Sequence, residues 1–260
     1  MLTPPASPVG GPARPGTDRL RPHPLLARYH ANERERRRQV NRWFDESAAH
    51  YDFITQVMSL GSGHRYRKQA LLRAGLAEGM SVLDVACGTG VLASHARDIV
   101  GTSGLVMGLD PSAGMLREAR RRGVGRLVQA LAEALPLGSG RFDLLSMGYA
   151  LRHVADLRAM AREYRRVLRP GGRALLLEIT PPESRLPFRL LKFYLSRVIP
   201  QVARLGRGGR GAQELMRYHW DTIENCVTPP VILGALEEAG FSRVGRHVEI
   251  GIFSEYTAVC

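Results

Sequence analysis

The run Asp84-Val-Ala-Cys-Gly88-Thr-Gly90 sets a carboxylate and two glycines where a short apolar stretch, Ser81 to Ala86, gives way to a helical pattern over Val91 to Ile99. Glycine at a strand-to-helix turn lets the backbone pass close to a bound group, because no side chain stands between them. Asp110 closes a second apolar run, Leu105 to Leu109, twenty residues after Gly90. A carboxylate at that place accepts hydrogen bonds from the two hydroxyls of a ribose. The pattern predicts a nucleoside-type cofactor at the carboxyl edge of a sheet.

Two cofactors compete for this pattern. Gly88-Thr-Gly90-Val-Leu-Ala93 also fits the dinucleotide fingerprint G-x-G-x-x-A, which would make the chain an NAD-dependent oxidoreductase. S-adenosylmethionine (SAM) is favoured by Asp84, whose carboxylate suits the ammonium of a methionine moiety where a dehydrogenase usually carries an apolar residue. Ala132-Glu133-Ala134-Leu135-Pro136, Arg141-Phe142-Asp143 and Val167-Leu168-Arg169-Pro170-Gly171-Gly172 then follow at methyltransferase spacing. The predicted cofactor-binding set is Asp84, Ala86, Gly88, Thr89, Gly90, Asp110, Pro111, Met115, Ala132, Glu133 and Tyr149. S-adenosylhomocysteine would be the product, and no metal ligand set is predicted.

The elements that must position these residues alternate along the chain. Helical periodicity covers Asn32 to Ala49, with Val40, Trp43, Phe44 and Ala48 on one side, and then Arg65 to Ala74. Strands are expected at Ser81 to Ala86, Leu105 to Leu109, Arg126 to Gln129, Phe142 to Met147 and Arg173 to Ile179, the last after an Arg169-Pro-Gly-Gly172 turn. Helices are expected over Ser112 to Arg122 and Asp156 to Leu168. A helix over Val231 to Ala239, closed by Gly240, and strand-like runs Val244 to Glu249 and Tyr256 to Val259 finish the chain. This alternation predicts an α/β, Rossmann-like doubly wound, mostly parallel sheet with helices on both faces. Residues 181–218 break it and read as an inserted helical lid or substrate segment within a catalytic domain over 31–260. Residues 1–30, rich in Pro, Gly and Arg, are expected to be a disordered tail.

Composition narrows the partners. The formal charge of +13 would suit nucleic acid or an anionic surface. Yet Lys68 and Lys192 are the only lysines, and the arginines are scattered, a bias of codon usage more than a designed patch. No nucleic-acid partner is predicted. Cys87, Cys226 and Cys260 are too few and too widely spaced for a disulfide framework or a zinc site, which fits a reducing cytoplasmic location. No apolar run approaches the roughly 20 residues of a membrane span. The stretch Pro187 to Leu205 mixes apolar residues with Arg and Lys, so peripheral membrane contact is a secondary reading of the lid. Homo-oligomerisation stays open.

The sequence resembles the ubiquinone/menaquinone-biosynthesis C-methyltransferases over about Phe44 to Val259. The matching pieces are Phe44-Asp45 with Tyr51-Asp52, Met58-Ser59-Leu60-Gly61, the glycine motif, Glu133-Ala134-Leu135-Pro136, Leu151-Arg152-His153-Val154 and Arg169-Pro-Gly-Gly172. The resemblance implies that Gly88, Thr89 and Gly90 line the methionine and ribose part of SAM. It implies that Asp110 holds the ribose with Met115 against the adenine, that Tyr51 closes the donor site, and that Arg152 faces the reacting ring. Three departures stand out: Leu131 where the family has Asp or Asn toward the adenine amino group, His153 where it has Asn, and Met216 to Cys226 in place of a Tyr-rich substrate segment.

The implied reaction is methyl transfer to a small, aromatic, quinone-like or phenolic acceptor, at carbon; an O-methyltransferase of a natural-product pathway is the alternative. Arg152 would stabilise an acceptor phenolate as a fixed positive charge, and His153 would take a proton near neutral pH. With Tyr51 these are the predicted catalytic residues. His219, Tyr218, Trp220 and Glu178 are further candidates, each with a packing or ion-pairing role as the plainer reading.

Overall fold

The computed structural model describes residues 19–205 and 209–260. Seven strands form one sheet in the order β3-β2-β1-β4-β5-β7-β6. They are β1 (Ser81–Val85), β2 (Leu105–Asp110), β3 (Arg126–Gln129), β4 (Phe142–Gly148), β5 (Leu168–Ile179), β6 (Ser242–Glu249) and β7 (Phe253–Val259). The first five pair in parallel, while β7 runs antiparallel between β5 and β6. The strand order reverses between β1 and β2 on one side and β4 on the other, which is where an open α/β sheet leaves a crevice for ligands.

The central strands are apolar on both sides because both faces are covered. Leu83, Val85, Leu145, Ala174 and Leu176 pack with α5 (Leu157–Val167) and α9 (Pro229–Glu238). Val82, Leu144, Leu175 and Leu177 pack with α2 (Gly63–Arg73) and α3 (Val91–Val100). The alternation of side chains along each strand thus feeds two separate cores. Helix α4 (Ala113–Arg121) completes the β2–β3 crossover.

A third core roofs the carboxyl edge. It joins α1 (Glu33–Met58), α6 (Arg185–Phe193), a π-turn over Tyr194–Val198, α7 (Ile199–Ala203) and α8 (Gly209–Glu224) around Trp43, Ile54, Tyr218 and Trp220. Helix α1 starts at Asn32, whose side chain accepts from Glu35 N at 2.9 Å. It runs nine residues beyond the expected Ala49, because Tyr51, Ile54 and Val57 continue the same apolar stripe.

The structure differs from expectation at two further places. Residues 1–18 of the expected disordered tail lie outside the described residues, but residues 19–30 are packed. Leu20 O accepts from Leu157 N and Pro22 O from Val227 N at 2.8 and 2.7 Å, and His23 and His30 are buried. These backbone bonds and the aromatic neighbours supply what composition did not reveal. The Arg169-Pro-Gly-Gly172 turn is a bulge inside β5: Phe142 pairs with Leu168, and pairing resumes at Leu144 with Arg173. The Cys260 strand end accepts from Gly171 N and donates to Gly172 O, which holds the bulge in the ladder.

Candidate active site

The carboxyl ends of β1, β2 and β4, with α1 above them, enclose a cavity of about 440 Å³. One half is built by the glycine turn. Asp84 ends β1 inside the core, 1% exposed, and its Oδ1 accepts from Ser146 Oγ at 2.7 Å. Its Oδ2 is buried without a partner among the described residues, and the residue lines the cavity. Burial pushes the Asp84 carboxyl up to about 7. Next to it Ala86 takes φ +53, a left-handed conformation costly for a non-glycine residue, and Tyr149 at the end of β4 takes φ +60. Both line the cavity, so the two strained residues sit where the strands deliver their ends to it.

The two glycines of the motif do different work. Gly88 has φ +54, and a Cβ built there would meet nothing within 4 Å: the space beside its backbone is open cavity. Gly90, at φ +80, is the residue before α3, and a Cβ there would approach Val124 Cγ2 to 2.9 Å and Ala119 Cβ to 3.1 Å. Gly90 therefore serves helix packing and does not line the cavity, contrary to its expected cofactor contact; what faces it is α4. Asp110 accepts from Gly88 N at 2.9 Å and Ser112 N at 2.8 Å, and burial raises its carboxyl to about 6. Each oxygen keeps a lone pair for a ribose hydroxyl. Pro111, Met115, Ala132, Glu133 and Leu131 continue the wall on the adenine side. Glu133 also accepts from Ala155 N.

Sequence reasoning missed how α1 is fastened over this half. Asp45 accepts from Ser112 Oγ and Gly114 N, both at 2.7 Å. Asp52 accepts from Thr89 Oγ1 and pairs with Arg122, which also donates to Thr89 O at 2.8 Å. Thr89 thus lines the cavity with its hydroxyl committed to α1. The available signal was spacing: Asp45 and Asp52 stand seven residues apart, two turns on one face of a helix, but the expected helix stopped at Ala49 and left Asp52 outside it.

The other half of the cavity is apolar and aromatic, with Phe44, Tyr51, Met58, Met147 and Tyr149 in its wall together with His153 and His219. Burial raises the Tyr51 phenol to about 12, so it remains protonated at neutral pH. His153 stacks on Tyr218 at 5.9 Å and meets Phe44 edge-on at 5.3 Å, and neither ring nitrogen has a partner among the described residues. Burial, then the Arg152 charge, pushes the imidazoles of His153 and His219 well below their ordinary value, so both are neutral.

Arg152 corrects an expectation. Its guanidinium is fully buried behind the cavity and does not line it. It pairs with buried Glu178, approaches the His219 ring at 3.2 Å and donates to Thr222 Oγ1 at 3.3 Å. A carboxylate in the core must be compensated, and Glu178 draws the guanidinium inward and away from any ring bound in the cavity. Tyr218 and Trp220 are core residues of the roof.

The donor half fits SAM. The unpartnered Asp84 oxygen can take an ammonium, the Gly88 backbone leaves room beside it, and Asp110 is set for a ribose. The strand order with antiparallel β7 and this carboxylate-flanked turn define a class I SAM-dependent methyltransferase. The chain belongs to the ubiE/COQ5 methyltransferase family, whose sequence model matches residues 30–259. It is 34% identical over 213 residues to the ubiquinone/menaquinone biosynthesis C-methyltransferase UbiE of Hahella chejuensis, covering 79% of this chain and 84% of that protein. It is 32% identical to the 2-phytyl-1,4-naphtoquinone methyltransferase of Thermosynechococcus vestitus, covering 80% and 92%. A SAM-dependent methyltransferase from Thermotoga maritima shares the fold at 19% identity and TM-score 0.60, over 85% of this chain and 99% of that one. The NAD reading is therefore set aside.

Proposed function

We propose that the enzyme transfers the methyl group of SAM to a ring carbon of a small quinol-like acceptor lying in the aromatic half of the cavity. The observation that carries this is continuity: the carboxylate-flanked donor wall and the wall of Phe44, Tyr51, Met58 and His153 bound one space. The two relatives, a ubiquinone/menaquinone biosynthesis C-methyltransferase and a 2-phytyl-1,4-naphtoquinone methyltransferase, support the same acceptor class.

SAM supplies an electrophilic methyl carbon for in-line displacement. The protein's contribution is alignment and exclusion of water, which the roof of α1 and α8 provides. A ring carbon turns nucleophilic when a neighbouring hydroxyl loses its proton. His153 is the residue we assign to receive that proton, because its imidazole is unpartnered and its residue lines the cavity; the phenolate formed beside it must offset the burial and the Arg152 charge that hold the ring neutral. Arg152 acts at one remove, paired with Glu178 and set behind His219, which it holds in the cavity wall. Tyr51 closes the donor side as a neutral phenol. The described residues of segment 181–218 are assigned as a lid acting through α1, since they pack in one core with Tyr51 and Met58 of the cavity wall.

The test is incubation with methyl-labelled SAM and two acceptors, a reduced demethylated naphthoquinol and a simple phenol, followed by mass spectrometry and carbon NMR of the product. Label on a ring carbon is expected. Label on oxygen would replace the assignment with O-methylation, and transfer to neither acceptor would refute the acceptor class.

A further inference from the structure

Helix α6 buries none of its residues. Leu186, Leu190 and Phe193 are 67%, 62% and 63% exposed, high values for large apolar side chains. At 100° per residue they fall within a stripe about 60° wide, so they form one apolar ridge and are not scattered singly. Arg185 and Arg189 run along one side of the ridge, and neither forms an ion pair among the described residues. From Ser184 to Leu205 the chain carries five cations and no acid. Beside the ridge a cleft is lined by Arg28, Lys192, Arg197 and Arg217, where Asp221 and Glu224 offset only part of the charge.

We infer that this face of α6 docks on an anionic lipid bilayer, with Leu186, Leu190 and Phe193 entering the interface and the flanking cations meeting lipid phosphates. Charge complementarity selects this occupant over a second copy of the chain, since two such faces, each with more cations than acids, repel each other. An apolar ridge rimmed by Arg and Lys is the composition of an interfacial helix, and cations near the surface add to its hold. The ridge is tied to the acceptor half of the cavity: Tyr194 Oη, just past α6, donates to Val57 O at 2.7 Å, and the next residue, Met58, lines the cavity. Leu60 and Phe53, at the same end of α1, are also exposed. A lipophilic acceptor would enter from the bilayer at this edge. The inference rests on the proposed acceptor for its purpose, while its geometry stands alone.

The full-length protein is sedimented with phosphatidylglycerol vesicles and with phosphatidylcholine vesicles, at low and high salt. Binding to the anionic vesicles, weakened by salt, is expected. Leu186→Gln/Leu190→Gln/Phe193→Gln should weaken it at least tenfold with charge unchanged, and Arg185→Gln/Arg189→Gln should remove most of the salt dependence. Both variants change exposed residues and should keep the wild-type heat of SAM binding. Wild-type protein left in the supernatant with anionic vesicles, or binding that the triple variant retains, overturns the inference. So does a wild-type dimer, in sedimentation velocity, that the triple variant converts to monomer without any vesicle binding. Absence of SAM binding would instead strike at the proposed function and leave the vesicle result standing.

Discussion

Replacing Arg152 by Met tests whether its weight lies in the core or in the cavity. Methionine keeps an unbranched side chain but removes the charge that compensates Glu178. Both partners are essentially buried, at 0% and 2% exposure. Breaking such a pair from one side costs about 3–5 kcal/mol, because the remaining charge is stranded. At about 2–4 °C per kcal/mol for a domain of this size, the melting temperature should fall by about 6–20 °C. The loss has a definite pH dependence. Burial outweighs the pull of Arg152, so the Glu178 carboxyl already lies above its ordinary 4.5, and without Arg152 burial acts alone and lifts it further. A carboxyl raised in the folded state contributes stability in full below its unfolded value and loses it as pH rises. The deficit of Arg152→Met should therefore be small near pH 5 and largest at pH 8, and Arg152→Met/Glu178→Met should regain most of it. Urea denaturation of the three proteins at both pH values is the assay. The reasoning fails if the single variant loses under about 1 kcal/mol at pH 8, or if the double variant is no more stable than the single.

Other outcomes follow from the donor half. Asp84→Asn should weaken SAM binding by about 10- to 150-fold, the worth of a charge-assisted hydrogen bond; calorimetric titration decides. In the wild type the same binding should tighten as pH rises from 6 to 8, because the ammonium needs the Asp84 carboxylate and that group titrates near 7; a flat profile would contradict the assignment. Conversely, the ligand-free protein should lose stability over roughly pH 4 to 7 as the raised carboxyls of Asp84 and Asp110 ionise, readable as a falling melting temperature. Gly88→Val should abolish most SAM affinity while costing about 1–2 kcal/mol of stability for its left-handed backbone, whereas Gly90→Val should add about 1–3 kcal/mol of overpacking against α4 and leave the affinity of the folded fraction unchanged. His153→Ala should lower kcat with little change in SAM affinity; normal turnover would remove its role as proton acceptor.

The parallel sheet was legible because its strands are short, apolar and punctuated. Ser81 to Ala86 runs into Cys87-Gly88, and Leu105 to Leu109 ends in Asp110, so periodicity and breakers agree about where each strand stops. The placement of Asp84, Gly88 and Asp110 in the cavity wall was legible for the same reason: it follows from position on one turn and one strand end. What stayed hidden depends on contacts across the chain. No local pattern shows that residues 19–30 find backbone partners at Leu157 and Val227, or that Thr89 spends its hydroxyl on Asp52. Gly88 and Gly90 look alike in the motif, and only the neighbours of their missing Cβ atoms tell a ligand cradle from a helix contact. Arg152 was placed correctly beside the site and aimed wrongly, because the buried carboxylate that turns it inward lies 26 residues away on β5.

These hidden contacts share one mechanical consequence. The donor half is made by sheet ends that are rigid on both faces, but its roof is α1, held by Asp45 at the start of α4 and by Asp52 at the glycine turn. The acceptor half is walled by the same helix further along, at Phe44, Tyr51 and Met58, and by α8 at His219. A displacement of α1 therefore opens both halves at once. On the proposed function, exchange of S-adenosylhomocysteine and release of methylated product are coupled through this helix, whereas the carboxylates assigned to the donor sit on β1 and β2. Asp52→Asn, which leaves Thr89 and Arg122 without their carboxylate, should thus raise KM for both substrates together, and a rise confined to SAM would show that α1 closes the donor side alone.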